Sequence, residues 1–171
     1  KVCFLGNPDR QRAKFINSLL TKGIPIDVYG HQWENFVKHP LCTTNTAVFG
    51  DEYWKTLSRY RVQLNIMRIH NEDSHNMRTF EIPGIGGIML APRTTEHLSF
   101  FKDQVEAFFY SSLDECCQLI HHLLSIKDSE SKTIRHNARS ASISKGYSYK
   151  QRSEVALNEI LDSYSKFLKD S

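Results

Sequence analysis

The chain has 171 residues, which is enough for one domain with a substantial core. Hydrophobic residues make up 40% of it and charged residues 24%, as in an ordinary globular protein. The 22 basic and 19 acidic residues give a net charge of +3, too even a balance to indicate a nucleic-acid partner or an anionic membrane surface. No apolar run approaches the roughly 20 residues that a membrane span needs, so no membrane span is predicted.

The first half of the chain alternates short apolar runs with amphipathic stretches. In chain order, the pattern predicts a strand over 2–6, a helix over 9–22, a strand over 24–29, a strand over 47–49, a helix over 51–59 and a strand over 62–67. Gly23 is predicted to cap the first helix at its C-terminal end. Residues 31–46 are less regular, although Trp33 and Phe36 are candidates for packing there.

The second half continues this alternation. A polar loop is predicted over 68–74, and then a helix that starts near Ser74 and is ended or kinked by Pro83, which has no backbone donor. The remaining predictions are a strand over 88–91, a helix over 94–102, a strand over 107–110 and helices over 112–125, 128–144 and 149–168. The apolar side of the helix over 112–125 is formed by Leu113, Cys116, Cys117, Ile120 and Leu124. The apolar side of the last helix is formed by Leu157, Ile160, Leu161, Tyr164 and Leu168.

The predicted strands are near-continuous apolar runs, which is typical of strands buried on both faces. Together with the alternation of strands and helices, this predicts an α/β fold: a three-layer, Rossmann-like parallel sheet with helices on both faces, forming a single domain over 1–171. Such sheets bind ligands at the carboxyl ends of their strands. Gly6, Tyr29-Gly30, Gly50 and the loop over 68–74 all fall at that edge.

The cysteines follow no metal-binding or disulfide pattern. Cys3 and Cys42 stand alone, Cys116 and Cys117 are adjacent, and no C-x-x-C pair occurs. Free thiols, a cytoplasmic location and the absence of a metal or cofactor are therefore predicted. No signal peptide is visible and the chain does not begin with Met, so we expect a piece of a longer protein.

The segment DSHNMRTFEIPGIGGIMLA, residues 73–91, joins the polar loop to a helix start and a buried strand. In the first turn of that helix, the backbone donors of His75, Asn76 and Met77 would have no partner, and the helix dipole would add partial positive charge. This arrangement predicts an anion site suited to a diphosphate.

Other residues near this segment add to a nucleotide site. Glu81, seven residues after Ser74, could accept hydrogen bonds from ribose hydroxyls, and Arg68 and Arg78 could neutralise phosphate charge. Equally, Ser74 could only cap the helix, Glu81 could only face solvent, and the two arginines could be ordinary surface residues.

Two common nucleotide motifs are missing. Gly6-Asn7 after the first strand could approach phosphate or sugar, but no G-x-G-x-x-G follows that strand and no G-x-x-x-x-G-K-[ST] occurs in the chain. Ser74 next to His75 is not expected to be a nucleophile, because no third residue that would orient the histidine can be named.

Four segments together resemble a known family. Residues 64–101, LNIMRIHNEDSHNMRTFEIPGIGGIMLAPRTTEHLSFF, resemble the C-terminal domain of group 1 glycosyltransferases, and are most similar to the CgeB-like (spore maturation protein) branch with its N-x-R-x-F-E-I-P-x-x-G-G run. VCFLGNPDRQR and GIPIDVYG resemble the opening of that domain, and EAFFYSSLDECCQLIHHLL resembles its later strand and helix.

The resemblance implies one half of a GT-B glycosyltransferase, in which two Rossmann-like domains face each other. The C-terminal half holds the nucleotide-sugar donor, and an N-terminal domain of the same longer protein would supply the acceptor site. The implied activity is transfer of a hexose to an unknown acceptor. The absent domain often carries a catalytic residue, so no catalytic residue is predicted here. The last helices, over 128–168, would pack on this domain or towards the other one.

The resemblance also implies roles for single residues. Relatives carry two glutamates seven positions apart; Glu81 matches the second, which holds the ribose, whereas Ser74 stands where the first would be. Gly6-Asn7 match a loop that approaches the diphosphate, and Val48-Phe49-Gly50 match the place of the nucleobase. The predicted nucleotide-sugar site consists of Gly6, Asn7, Phe49, Gly50, Arg68, Ser74, His75, Asn76, Met77, Arg78 and Glu81.

Two other classes of protein stay open. The first is a non-catalytic glycosyltransferase-like structural protein of an envelope or spore coat, because position 74 lacks the glutamate. The second is an unrelated α/β binding module such as a flavodoxin-like regulator, although neither an acidic cluster nor a flavin loop is visible at the predicted strand ends.

Overall fold

The computed structural model describes residues 1–71 and 73–170, and within these the side chains of residues 69 and 168–170 are left out. The strands are β1 Val2–Leu5, β2 Ile26–Tyr29, β3 Cys42–Asn45, β4 Val62–Leu64, β5 Met89–Pro92 and β6 Phe108–Tyr110. The helices are α1 Arg10–Thr21, α2 Gly50–Ser58, α3 Arg78–Gly84, α4 Thr95–Phe100, α5 Leu113–Ser125, α6 Asp128–Ser144 and α7 Tyr149–Asp170. Short 3-10 turns cover Trp33–Asn35 and Ile69–Asn71.

The six strands form one parallel sheet in the order β3-β2-β1-β4-β5-β6. The order reverses at β1, because the chain moves outwards from β1 to β3 and then returns to add β4 on the other side. The carboxyl ends of β1 and β4 therefore flank the crevice in which such sheets hold ligands. The prediction of a Rossmann-like parallel sheet is confirmed.

Each face of the sheet carries its own apolar layer, since successive strand residues point to opposite faces. Val2 and Phe4 of β1 face the layer under α1 and α5. Cys3 and Leu5 face the other layer, under α2, α3 and α6. The arrangement has the three layers that the sequence predicted.

Local capping signals account for several helix boundaries. Asp9 begins α1 by accepting a hydrogen bond from the Arg12 backbone N–H, and Ser112 begins α5 in the same way. Gly23 follows α1 with a φ of 83°, as expected of a C-terminal cap. In α5 the last buried apolar residue is Leu123, whereas the predicted Leu124 is only partly buried.

Two elements differ from the prediction. The third strand is Cys42–Asn45 and does not lie over residues 47–49. It is an edge strand bonded only to β2, so its partly exposed polar residues need no apolar run. The helix predicted from Ser74 begins four residues later, at Arg78, and Pro83 lies in its last turn.

The two last helices differ in their contacts. Helix α6 buries Ile134, Ala138 and Ala141 against the rest of the fold. Helix α7 is exposed at every side chain that is described, including Leu157, Ile160, Leu161 and Tyr164 of the predicted apolar face; the Leu168 side chain lies outside the described residues. In the part of the chain that the structure covers, no helix is both long and apolar enough to cross a membrane.

Candidate functional site

A cavity of about 700 Å³ opens at the carboxyl edge of the sheet. Its walls come from the ends of β1, β2 and β4, from the segment that leads into α2 and from the start of α3. Seven of the predicted site residues line it: Gly6, Asn7, Phe49, Arg68, Asn76, Met77 and Arg78. The apolar residues 47–49, predicted as a strand, run beyond the sheet and form one wall, with Phe49 72% exposed.

Two loops form the floor of this cavity and are bonded to each other. The Gly6 backbone N–H donates to the Tyr29 carbonyl at 2.8 Å, and the Trp33 indole N–H donates to the Gly6 carbonyl at 2.8 Å. The His31 backbone N–H donates to the Asn7 side-chain oxygen at 3.0 Å. A Cβ on Gly30 would lie 2.5 Å from the Gly6 oxygen, so only glycine permits this approach.

Three arginines bring positive charge to the cavity. Arg12 is buried, and its guanidinium donates to the Ile66 carbonyl at 2.9 Å and to the Asn7 carbonyl at 3.2 Å. Burial lowers the pKa of Arg12. Arg78 lies over the Tyr53 ring and donates to the Leu5 carbonyl at 3.1 Å. Arg68 is exposed, and no hydrogen bond or ion pair joins its guanidinium to another described residue, so the guanidinium is available to an anion.

Glu81 is part of a fixed cluster. One of its carboxylate oxygens accepts from the Tyr53 hydroxyl at 2.7 Å and from Arg78 at 2.5 Å, and the side chain is only 9% exposed. Burial raises the pKa of Tyr53, which therefore keeps its proton and remains the donor. Glu81 lines a second cavity, of about 650 Å³, and is separated from the first by Tyr53 and Arg78.

The predicted anion site at residues 75–77 does not form as expected. Ser74 does not cap a helix; its hydroxyl donates to Glu96 at 2.9 Å. The Asn76 backbone N–H donates to the Thr79 hydroxyl at 3.3 Å, so it is not free to bind an anion. Distant contacts cause this difference, since Glu96 and Thr94 of the α4 region hold the segment and delay the helix to Arg78.

A buried polar network fixes Asn76. Its side-chain N–H donates to the Asn65 oxygen at 2.7 Å, and Asn65 in turn donates to the Thr79 hydroxyl at 3.1 Å. That hydroxyl lies 3.0 Å from His97 Nε2, while His97 Nδ1 lies 2.7 Å from the Pro92 carbonyl. Burial lowers the pKa of His97, so the ring is neutral and donates from Nδ1.

Sequence reasoning missed several of these residues. One feature of the sequence could have indicated Asn65: it is an amide within the apolar run over residues 62–67, and it is buried in the fold. Arg12, Tyr53 and Glu96 had none, since each reaches the site through a contact with residues far away in the chain.

The other predicted residues lie outside the first cavity. Gly50 begins α2 with a φ of 54° and lines neither cavity. His75 lines the second cavity, and Ser74 lies beside it on Glu96. Over residues 1–71 and 73–170, no group of three or more His, Cys, Asp or Glu could hold a metal ion, and all four cysteines are free thiols.

Several solved structures with a fold similar to this chain are glycosyltransferases. A glycosyltransferase from Rickettsia africae superposes with a TM-score of 0.71 at 13% identity, over 99% of this chain and 48% of the other. HepE from Anabaena in complex with UDP-glucose gives a TM-score of 0.72 at 12% identity, over 95% and 48%. The catalytic domain of cholesterol-alpha-glucosyltransferase from Helicobacter pylori gives 0.63 at 11% identity, over 84% and 97%.

Sequence identities of 11–13% show only that the fold is shared with these proteins. The chain spans about half of the length of the first two proteins, and its fold matches one half of a GT-B glycosyltransferase. No curated protein matches its sequence. The sequence model of the family described as "Glycosyl transferase-like" matches residues 10–158, which is most of the chain. The chain therefore belongs to the glycosyl transferase-like family.

Proposed function

We propose that this chain is the donor-binding domain of a glycosyltransferase and holds the nucleoside diphosphate part of a nucleotide sugar in the first cavity. The observation that carries the proposal is a crevice at the switch point of the sheet that combines arginine guanidinium groups with closely approaching glycine backbone. Arginine is well suited to phosphate because its planar donors pair with two oxygens at once.

The cavity offers a separate place for each part of such a ligand. The diphosphate would lie between Arg68 and Arg78, near the backbone of Gly6. The nucleobase would pack on the exposed ring of Phe49. The ribose would lie towards Tyr53, and a direct bond to the free carboxylate oxygen of Glu81 would require the Tyr53 side chain to move, because Tyr53 and Arg78 stand between Glu81 and this cavity.

The rest of the enzyme would be supplied by an N-terminal domain of the same longer protein. The match to only half of each of the two larger glycosyltransferases supports this proposal. The UDP-glucose bound to the Anabaena protein supports a nucleoside diphosphate hexose as the class of donor.

Calorimetric titration of the 171-residue chain with UDP, UDP-glucose, ADP and GDP tests the proposal. We expect at least one of these ligands to bind, and Arg68→Ala to weaken its binding by about 1.5–3 kcal/mol, the scale of a charged hydrogen bond. Arg139→Ala is the matched control, because Arg139 is exposed on α6 and does not line the cavity. Binding that both variants weaken equally would show a general charge effect.

Failure of all four ligands to bind would contradict the donor-binding proposal. It would favour the other function considered for this family member, a glycosyltransferase-like structural protein without a donor.

A further inference from the structure

A third cavity, of about 440 Å³, opens at the amino edge of the sheet, opposite the proposed nucleotide site. It lies where β1 and β4 begin, beside the end of α2 and the first turn of α6. Its wall combines five basic side chains with one acidic side chain: Lys1, Arg59, Arg61, Lys132, Arg135 and Asp128. Such an excess of positive charge in a concave surface favours an anionic ligand.

Two of the five basic groups are paired with carboxylates that do not line the cavity. The Lys1 ammonium lies 3.6 Å from a carboxylate oxygen of Asp27, and the Arg59 guanidinium lies 3.4 Å from one of Glu52. These pairs neutralise much of the charge of Lys1 and Arg59. The excess positive charge therefore comes from the other three basic residues.

Two of these three residues lie side by side on α6. Arg135 donates to the Tyr60 carbonyl at 2.5 Å and to the Gly86 carbonyl at 3.0 Å, which fixes its guanidinium without neutralising the charge. No hydrogen bond or ion pair joins the Lys132 ammonium to another described residue. Lys132 and Arg135 are three positions apart in the helix, so they share one face. Two positive charges without a carboxylate partner among the described residues thus meet at this cavity.

Arg61 is the third residue of this group. Its Nη2 donates to the Asp128 carboxylate at 2.5 Å, whereas its Nη1 is buried and has no hydrogen-bond partner in the described part of the chain. A buried donor without an acceptor is destabilising. Burial lowers the pKa of Arg135, and the charge of Arg61 lowers that pKa further, so the two guanidinium groups repel each other. An anion bound between them would provide an acceptor and reduce this repulsion.

The chemistry of these groups fits phosphate. The planar donors of arginine pair with two oxygens of an oxyanion at once. A phosphate monoester carries a charge of about −1.5 to −2 at neutral pH, so several cations stabilise it more than they stabilise a carboxylate. The first residue of α6 lines the cavity, and the helix dipole adds partial positive charge at that end.

We propose that the third cavity is a binding site for a dianionic phosphate group, held by Arg61, Lys132 and Arg135. Asp128 competes with the phosphate for Arg61. The site does not depend on the proposed donor-binding function, because it lies at the opposite edge of the sheet. The phosphate belongs either to a small soluble molecule or to a lipid headgroup, since both present the same group to the arginines.

Titration of the 171-residue chain with inorganic phosphate, followed by amide NMR shifts at constant ionic strength, is the first test. We expect saturable shifts at residues 61, 131 and 132, and much weaker binding of acetate, which carries a single charge. Shifts confined to residues 6, 7 and 76–78 overturn this proposal and leave the donor-binding function standing. Equal affinities for phosphate and acetate overturn it as well.

Two variants should change the phosphate affinity in opposite directions. Lys132→Gln, at an exposed position, is expected to weaken binding about 2- to 5-fold, the scale of an exposed ion pair, whereas Lys14→Gln on α1 should have no effect. Asp128→Asn removes the competing carboxylate and should tighten binding about 2- to 5-fold. Its control is Glu130→Gln, which removes a carboxylate from the same helix turn but outside the cavity.

Tighter binding by Asp128→Asn cannot result from misfolding, so this variant keeps the test decisive. If Asp128→Asn binds phosphate no more tightly than Glu130→Gln does, or if Lys132→Gln binds as well as Lys14→Gln, the proposal is wrong.

The source of the phosphate is tested with glycerol 3-phosphate and with phosphatidylcholine vesicles that contain or lack phosphatidic acid. A soluble ligand predicts that glycerol 3-phosphate produces the same NMR shifts and that the chain does not sediment with either vesicle. A lipid headgroup predicts sedimentation only with phosphatidic acid, reduced by Lys132→Gln and not by Lys14→Gln. Either result supports the site, and binding of neither ligand overturns it.

Discussion

At the scale of single residues, two positions show how a side chain's partners decide its contribution. Glu81 resembles a ribose ligand by its place in the motif, yet in the fold it is also the shared acceptor of Tyr53 and Arg78. His97 has no place in any motif, yet it closes the network that orients Asn76 at the wall of the first cavity.

Glu81→Ala is expected to lower the free energy of unfolding by about 1–3 kcal/mol, because it leaves two half-buried donors without their acceptor. Glu81→Gln keeps an acceptor there and should lower the free energy of unfolding by less.

The ribose role of Glu81 is then tested by nucleotide titration of Glu81→Gln, for which we expect a loss of about 1–3 kcal/mol of binding free energy. Glu154→Gln on exposed α7 is the control for the loss of one charge. Unchanged nucleotide binding by Glu81→Gln would rule the ribose contact out.

His97 should make the fold sensitive to acid. Its folded-state pKa is lowered by burial, so below the ordinary histidine pKa of about 6.5 the unfolded chain takes up a proton that the folded chain refuses. The stability contributed by this group is therefore present above that pH and is lost as the pH falls through the folded-state value. Urea unfolding at pH 7.5 and 5.5 should show a smaller loss on acidification for His97→Gln than for the unchanged chain. His121→Gln, exposed on α5, should behave like the unchanged chain, and an equal loss in all three proteins would contradict this role.

At the scale of elements, the loop after β2 is tightly packed, whereas the last helix is exposed to solvent. The loop after β2 lies so close to the loop after β1 that there is no room for a Cβ atom on Gly30. Helix α7 has an apolar face with 53–64% exposure at Ile160, Leu161 and Tyr164, so that face contributes little to the stability of this fold.

Gly30→Ala should destabilise the fold by more than 1 kcal/mol and weaken nucleotide binding, because the new methyl group would meet the Gly6 carbonyl oxygen at 2.5 Å and Trp33 Nε1 at 2.8 Å. Gly84→Ala is the matched control, since a Cβ there meets nothing within 4 Å and alanine is favoured in a helix. Thermal unfolding and nucleotide titration measure both effects. A Gly30→Ala protein as stable as Gly84→Ala would mean that the two loops can move apart without cost.

Polar changes on α7 should be neutral for stability. We expect Ile160→Lys to alter the free energy of unfolding by less than about 0.5 kcal/mol, the range of surface substitutions. Ile120→Ala, at a fully buried position in α5, should cost about 2–5 kcal/mol. Urea unfolding compares the two, and a large loss with Ile160→Lys would show that another surface covers this face in solution.

At the scale of the whole molecule, the proposed donor-binding domain would provide only one wall of a cleft. Transfer between a donor and an acceptor needs both held in reacting geometry, which contributes up to about 7–11 kcal/mol to lowering the barrier. The match to 48% of each of two larger glycosyltransferases, and the exposed face of α7, are what a half-enzyme would show.

The isolated chain is therefore expected to release nucleotide from UDP-glucose or other nucleotide sugars at no useful rate, whereas a longer protein with a second domain should turn over. The assay is nucleotide release from a panel of nucleotide sugars, with and without candidate acceptors, for both proteins at equal concentration. Equal turnover would show that the second domain is dispensable.

The sequence alone determined the layers, the parallel sheet and the edge at which a ligand would bind. These follow from apolar periodicity and from the alternation of strands and helices, and periodicity is a local property of the chain. It also placed Gly6, Asn7, Phe49, Arg68, Asn76, Met77 and Arg78 near one another, because each lies just after a strand or just before or at the start of a helix on the same edge.

Only the tertiary structure decided where the polar chemistry lies. Helix α3 begins at Arg78 because Glu96 holds Ser74 and His75 from 20 or more residues away, a contact that no local capping rule contains. Likewise, β3 needs no apolar pattern because it is an edge strand, and only the strand order shows that it lies at an edge. Side-chain partners distant in the chain carry no periodic signal, so the second cavity, its histidine and the bonds of Glu81 become visible only once the chain is folded.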